Sequence, residues 1–189
     1  MDIIVVNDFL PARSAELLCN EASRASYTYF HRGNANEKHG YHWHKSWCEH
    51  TLGVAQQMPD VFINDCSLKQ FYRNAHTYGV YPTKHCDVDL GFHKAYTVLY
   101  YPELHWKKTW GGGLHVYSVD ESNSVLIPYI GNQLVVFDSQ LQHQCEGISP
   151  DAHMLRSAFV MKYHNNSNEA VNLRTAFPSG KVVECLDTI

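Results

Sequence analysis

The run Lys84-His85-Cys86-Asp87-Val88-Asp89 puts a histidine and a carboxylate two positions apart. On an extended chain, side chains i and i+2 leave the same face, so His85 and Asp87 project together while Cys86 turns away. Imidazole and carboxylate both ligate divalent cations. A lone His-x-Asp is more often two polar groups in a turn, so the pair gains meaning only if the chain supplies a third ligand and something for a metal to act with. Asp89 has the same parity as Asp87 and is the competing carboxylate, and His93 stands close by.

The candidate third ligand is His143, which follows the apolar run from Gln133 to Phe137. Two histidines and one carboxylate on one side of a metal leave the other side open, as mononuclear iron(II) chemistry requires. The same three side chains also suit a zinc ion with a bound water, hence a hydrolase or isomerase of the cupin type. Arg156 heads the run Arg156-Ser157-Ala158-Phe159-Val160-Met161. Strand alternation places Arg156, Ala158 and Val160 on one face. An arginine opening an otherwise apolar inward row needs an anionic partner, and its planar fork grips a carboxylate as lysine cannot. On Ala95–Tyr101, the residues Thr97, Leu99 and Tyr101 share a face, so the Tyr101 hydroxyl can reach the same carboxylate. A hydrolase has no use for such an anchor.

These residues need elements to hold them. Ile3–Val6 reads as a strand, and Asn7-Asp8-Phe9-Leu10-Pro11 opens a helix of about four turns, with Leu17, Leu18, Ala22 and Ala25 as its apolar stripe. Tyr27–Phe30 reads as extended, and Lys45–Gln57 as a second helix containing Gly53. From Leu68 onward, short runs rich in Val, Tyr, Phe and Ile alternate with Gly, Pro, Asn and Asp: LKQFYR, AYTVLYY, LHVYSV, SVLIPYI, QLVVF, SAFVMKY and KVVEC. That texture predicts antiparallel strands in a sandwich or barrel. The expected class is mainly β with N-terminal helices (α+β), a double-stranded β-helix or jelly roll of the cupin kind with helices packed on one sheet. The expected organisation is one domain over residues 1–189, with helices at about 10–60 and the jelly-roll core at about 68–185.

With 189 residues, 44% of them hydrophobic and 13% aromatic, the chain can bury a sizeable core. A net charge of −4 with no basic stripe argues against a dedicated nucleic-acid binder. Six cysteines without a C-x-x-C pair argue against a structural zinc knuckle. With no signal-like N-terminus and no apolar run of membrane length, a cytoplasmic protein with reduced thiols is expected.

Read in order, Ile3-Ile4-Val5-Val6-Asn7-Asp8-Phe9-Leu10, Phe71-Tyr72-Arg73-Asn74, His85-x-Asp87, Thr97–Tyr101, Trp110-Gly111-Gly112-Gly113-Leu114, Pro128, Gly131–Phe137, His143 and Arg156 resemble the Fe(II)- and 2-oxoglutarate-dependent oxygenases of the prolyl 4-hydroxylase type. The resemblance covers most of the chain and is closest to small bacterial and phage members. It implies iron(II) on His85, Asp87 and His143, with 2-oxoglutarate and O2 as cosubstrates and ascorbate supporting turnover. It places the distal carboxylate of 2-oxoglutarate on Arg156 and Tyr101, with Tyr72 nearer the other end and Thr97 also on the cosubstrate side. It implies hydroxylation of a C–H bond in a prolyl residue of a peptide or protein, or in a small molecule, with release of succinate and CO2. Gly113 stands where the family often carries an acidic residue.

Thirteen histidines offer rivals. His39, His42 and His44, with Cys48 and His50 nearby, have suitable atoms but no metal spacing, and read as an aromatic loop rimming the pocket. His76, Trp43 and Trp110 are candidate substrate-rim residues, with Tyr41 and Trp106 adding aromatic surface. His115 reads as packed or rim. Gly111-Gly112-Gly113 lacks a following Lys-Ser/Thr and reads as a tight turn rather than a phosphate loop.

Overall fold

The computed structural model describes residues 2–29, 43–46, 49–80, 82–87, 94–167 and 169–184. Strand β1 (Asp2–Val6) leads into helix α1 (Ala12–Arg24), followed by β2 (Thr28–Tyr29), β3 (Trp43–Ser46), α2 (Glu49–Ala55) and α3 (Asp60–Asp65). Next come β4 (Cys66–His76), β5 (Ala95–Tyr101), β6 (Leu114–Tyr117), β7 (Ser124–Ile127), β8 (Gln133–Asp138) and β9 (His143–Cys145). The described chain finishes with β10 (Arg156–Asn165), α4 (Leu173–Ala176) and β11 (Lys181–Glu184).

An eight-stranded antiparallel sheet has the order β11-β1-β8-β5-β10-β4-β3-β2, and a three-stranded sheet the order β7-β6-β9. Alternation along the large sheet builds two cores. Ile3 and Val5, Leu99 and Tyr101, Val135 and Phe137, and Ala158 and Val160 pack with Leu114, Val116 and Ile127 of the small sheet. Their neighbours Ile4 and Val6, Val98 and Tyr100, Leu134 and Val136, and Phe159 and Met161 pack with Ala15, Val54 and Phe62 of the helices. The central strands are therefore buried on both faces, which explains their near-continuous apolar sequence. Two facing sheets with helices on one outer side make the jelly roll that the sequence predicts.

Two local expectations change. In α1, Pro11 caps the helix and Ala15, Leu18 and Ala22 turn inward, whereas Leu17 is 60% exposed. Its inward stripe passes through Ala15 instead, which brings the backbone close to the sheet. Lys45 and Ser46, expected in a helix, belong to β3 and pair with Arg73 and Tyr72 of β4; the open edge of β4 takes them, and the helix begins at Glu49. His143 lies in β9.

Candidate metal centre and cosubstrate anchor

The loop carrying His85 and Asp87 is stitched to the region of β9. His85 and His143 exchange backbone hydrogen bonds of 3.1 and 2.8 Å, and the Asp87 N–H donates to Ser139 O at 2.9 Å. Gln144 Nε2 donates to Pro82 O at 2.8 Å, and Lys84 pairs with Glu121 beside it. These contacts bring together one ligand atom each from His85, Asp87 and His143, all within 4.8 Å of one another.

The imidazole orientations are fixed from behind. His85 Nδ1 lies 2.8 Å from Thr83 O, and His143 Nδ1 lies 3.0 Å from Leu141 O. A nitrogen facing a carbonyl must carry the proton. In the neutral ring, Nε2 then presents a lone pair, at 3.7 Å (His85) and 3.6 Å (His143) from the Asp87 carboxylate. Burial holds His143 below the usual histidine range, keeping it neutral, although Asp87 pulls the other way. Lone pairs aimed at a carboxylate repel it unless a cation lies between them. The donor set and its tautomers therefore fit a divalent metal.

Both Asp87 oxygens are held. Thr97 Oγ1 donates to Oδ2 at 2.7 Å and touches Ser139 Oγ at 2.8 Å, while Lys162 Nζ donates to Oδ1 at 2.9 Å. Burial alone would raise the Asp87 pKa, but His143, Lys162 and the Thr97 hydroxyl bring it down to about 2. Thr97, expected on the cosubstrate side, is in contact with the metal-site carboxylate instead. Alternation explains the separation: Thr97 and Tyr101 share a face of β5 but lie four residues apart, roughly 13 Å along the strand.

At the Tyr101 end stands Arg156, only 1% exposed. Its Nε donates to Gly112 O at 2.8 Å, and its guanidinium lies 5.0 Å from the ring centres of Tyr101 and Tyr129, which stack on each other at 4.3 Å. Among the described residues, the buried Arg156 Nη2 and Tyr101 hydroxyl have no hydrogen-bond partner. Unsatisfied buried donors carry a cost, so the pair is built for an acceptor. A carboxylate supplies two such oxygens, and the site fits the distal end of 2-oxoglutarate. Burial pushes the Tyr101 hydroxyl well above its usual range, keeping it a donor.

Behind the anchor lies Glu103, which accepts hydrogen bonds from the Tyr129 hydroxyl and from the Ser157 hydroxyl and N–H. It braces the first turn of β10 beside Arg156. The glycine turn fits closely around the arginine: a Cβ on Gly112 would sit 3.2 Å from Arg156 Cγ. Gly113, where an acidic residue is usual, leaves no room for any side chain, since a Cβ would meet Leu126 Cδ1 at 2.7 Å and Ile127 O at 2.8 Å. A carboxylate reaches that spot from elsewhere, as Glu146 Oε2 accepts from the Gly113 N–H at 3.2 Å.

Other expected site residues fall less centrally. Tyr72 lies near the metal end, where Lys162 Nζ is 5.8 Å from its ring centre. His76 is buried and pairs in register with Arg156 across β4 and β10. Trp110 is 4% exposed and packs against Trp106 and His153, and Trp106 is buried with its Nε1 on Gly111 O, so both belong to the core rather than an open rim. Trp43 and His44 contribute described backbone only, in β3. Tyr41, His39, His42, Cys48, Asp89 and His93 lie outside the described residues. Sequence reasoning missed Lys162, Glu103, Tyr129 and Ser139. Lys162 was reachable, because it continues the row Arg156, Ala158, Val160 by one more step.

No curated protein matches the chain in sequence. Among solved structures, the chain is similar to an oxidoreductase of the 2OG-Fe(II) oxygenase family from Burkholderia pseudomallei (TM-score 0.67, 11% identity, 88% of this chain and 87% of that one). It is also similar to a prolyl hydroxylase from Trichoplax adhaerens in complex with a hypoxia inducible factor oxygen degradation domain peptide fragment (0.64, 16%, 86% and 83%). A third likeness is to a prolyl-4-hydroxylase from Pseudomonas putida (0.63, 16%, 87% and 93%). At these identities the likeness is one of fold. The family model described as the 2OG-Fe(II) oxygenase superfamily matches residues 70–163, the segment from β4 through the ligand loop and β9 into β10. With that match and the shared double-stranded β-helix, the chain belongs to the 2OG-Fe(II) oxygenase superfamily.

Proposed function

We propose that the protein is an iron(II)- and 2-oxoglutarate-dependent dioxygenase that hydroxylates a C–H bond, with a prolyl residue of a peptide or protein as substrate. The observation that carries this reading is the pair of buried donors, Arg156 Nη2 and Tyr101 Oη, unpartnered among the described residues and on the same sheet face as the carboxylate of the His85–Asp87–His143 cluster. A zinc hydrolase would need the cluster but not the anchor.

In this reading His85, Asp87 and His143 hold the metal through Nε2, a carboxylate oxygen and Nε2. The metal, when bound, supplies dioxygen activation coupled to oxidative decarboxylation of 2-oxoglutarate to succinate and CO2. The chain supplies placement. Thr83 O and Leu141 O keep the Nδ1 protons in place, so both imidazoles offer lone pairs. Thr97 fixes the rotation of the carboxylate. Arg156 and Tyr101 bind and orient the distal carboxylate, and Leu99, Ala158 and Val160 line the same face with apolar surface that excludes water. Ascorbate supports turnover by keeping the metal reduced.

The substrate assignment rests on likeness to two prolyl hydroxylases. Incubating proline-containing peptides with enzyme, iron(II), 2-oxoglutarate and ascorbate should add 16 mass units, about one oxygen, to proline. Succinate formation with no oxygen on any proline would remove the substrate and leave the chemistry. Anaerobic titration of the iron(II) protein with 2-oxoglutarate tests the chemistry itself. A new visible charge-transfer band is expected, and its absence at saturation would overturn the assignment.

A further inference from the structure

One partly buried cation on the metal-facing side has no part in that account. Lys162 is directly opposite Thr97 across the β10–β5 ladder, and the two reach the same carboxylate from either side. Its side chain is 18% exposed and lies between Asp87 and the Tyr72 ring. Apolar residues, Ala158 and Val160, fill the inward row between it and Arg156, so its charge is placed for Asp87.

We propose that Lys162 is a positioning residue that retains Asp87 Oδ1 after the metal is bound, forcing Asp87 to ligate through Oδ2 alone. This rests on the reading of His85, Asp87 and His143 as metal ligands. The two Asp87 oxygens differ in what holds them. A neutral hydroxyl donating to Oδ2 leaves a lone pair there with no repelling charge. An ammonium on Oδ1 brings a full positive charge to that atom, and a divalent cation on the same oxygen would be repelled at close range. The ligand imidazoles do not choose between the oxygens, since Oδ2 lies 3.6 Å from His143 Nε2 and Oδ1 3.7 Å from His85 Nε2; the ammonium on Oδ1 does. An octahedral metal with three protein ligands keeps three positions open, two for a chelating 2-oxo acid and one for dioxygen. A carboxylate binding through both oxygens would take one of them. Lys162 thus weakens metal binding and strengthens 2-oxoglutarate binding, through both coordination number and charge.

The opposite signs make the test. Apoprotein is titrated with Co(II), and the Co(II) protein is then titrated with 2-oxoglutarate, both by calorimetry, for wild type, Lys162→Met, Lys162→Gln and Lys162→Arg. In the Met and Gln variants, Co(II) affinity should rise and 2-oxoglutarate affinity fall, each by roughly tenfold, a size within that of close charge couplings. Lys162→Arg, which keeps the charge, should stay near wild type. If Lys162→Met does not fold, the Gln–Arg comparison carries the result. A parallel loss of both affinities in the charge-free variants would mean a merely structural lysine and would overturn the proposal, as would unchanged affinities. Failure of wild type to bind Co(II) would instead overturn the metal-site reading on which the proposal stands.

Discussion

A neutral imidazole can face a carboxylate through N–H or through a lone pair, and the backbone carbonyls behind His85 and His143 select the lone pair at both. No pattern of residue types encodes that choice; it arises where Thr83 O and Leu141 O fall. The identities of the three residues were nevertheless legible, because parity and order along the chain select them. Lys162 was legible only as the next inward position of the row Arg156, Ala158, Val160; its partner was not, since Asp87 is remote in sequence and only the fold brings them together. Two substitutions check the residue-scale assignments. Arg156→Ala should lower 2-oxoglutarate affinity by ~2–5 kcal/mol, the usual cost of removing one partner of a buried charged pair, which is about 30-fold to several thousand-fold. Arg156→Lys should recover only part of this, and metal content should hold in both variants, as measured by elemental analysis alongside ligand titration. Asp87→Ala should lose metal while Asp89→Ala keeps it; the reverse pattern in the same elemental assay would transfer the ligand role to Asp89.

At the scale of elements, alternation in β5, β8 and β10 was readable because each strand is apolar on both faces and ends at a turn signal. The boundary between β3 and α2 was not, because Lys45 and Ser46 respond to the free edge of β4 rather than to local propensity. The aromatic character of Trp106 and Trp110 suggested a rim, but their burial follows from the glycine turn that folds them under the small sheet. That turn is exacting. Gly111 has φ +69, and a Cβ there would lie 2.5 Å from Gly147 O, so Gly111→Ala should cost about 1–3 kcal/mol in chemical denaturation. Glu103 gives a pH-dependent prediction. Burial raises its pKa despite the hydrogen bonds from Ser157 and Tyr129. The folded protein therefore holds this proton more tightly than the unfolded chain. The associated stability is full below the ordinary value of 4.5 and is lost as pH rises through the raised one. Glu103→Gln should flatten the fall in stability across that window. A denaturation-midpoint profile as steep as wild type would show that other groups set it.

For the whole molecule, the jelly roll was legible from the texture of strands and turns, and the placement of helices on one side from their grouping before Leu68. The order of strands was not, because β1 pairing with both β8 and β11 joins the two ends of the described chain through contacts with no local signal. Ligand binding should report on this assembly as a unit. At about 100 times its dissociation constant, 2-oxoglutarate should stabilise metal-loaded protein by ~2.7 kcal/mol, visible as a rise in Tm that Arg156→Ala cuts to about a third or less at the same concentration. β10 lies inside the large sheet, laddered to β5 on one side and β4 on the other, with Arg156 at one end and Lys162 six residues on. Sliding it would break both ladders at once. The strand is thus a gauge of fixed length between the carboxylate grip and the metal carboxylate. It should reject an otherwise identical 2-oxo diacid one methylene longer, so that 2-oxoadipate binds the metal-loaded protein more weakly than 2-oxoglutarate, even though each of its ends suits the group meant to receive it.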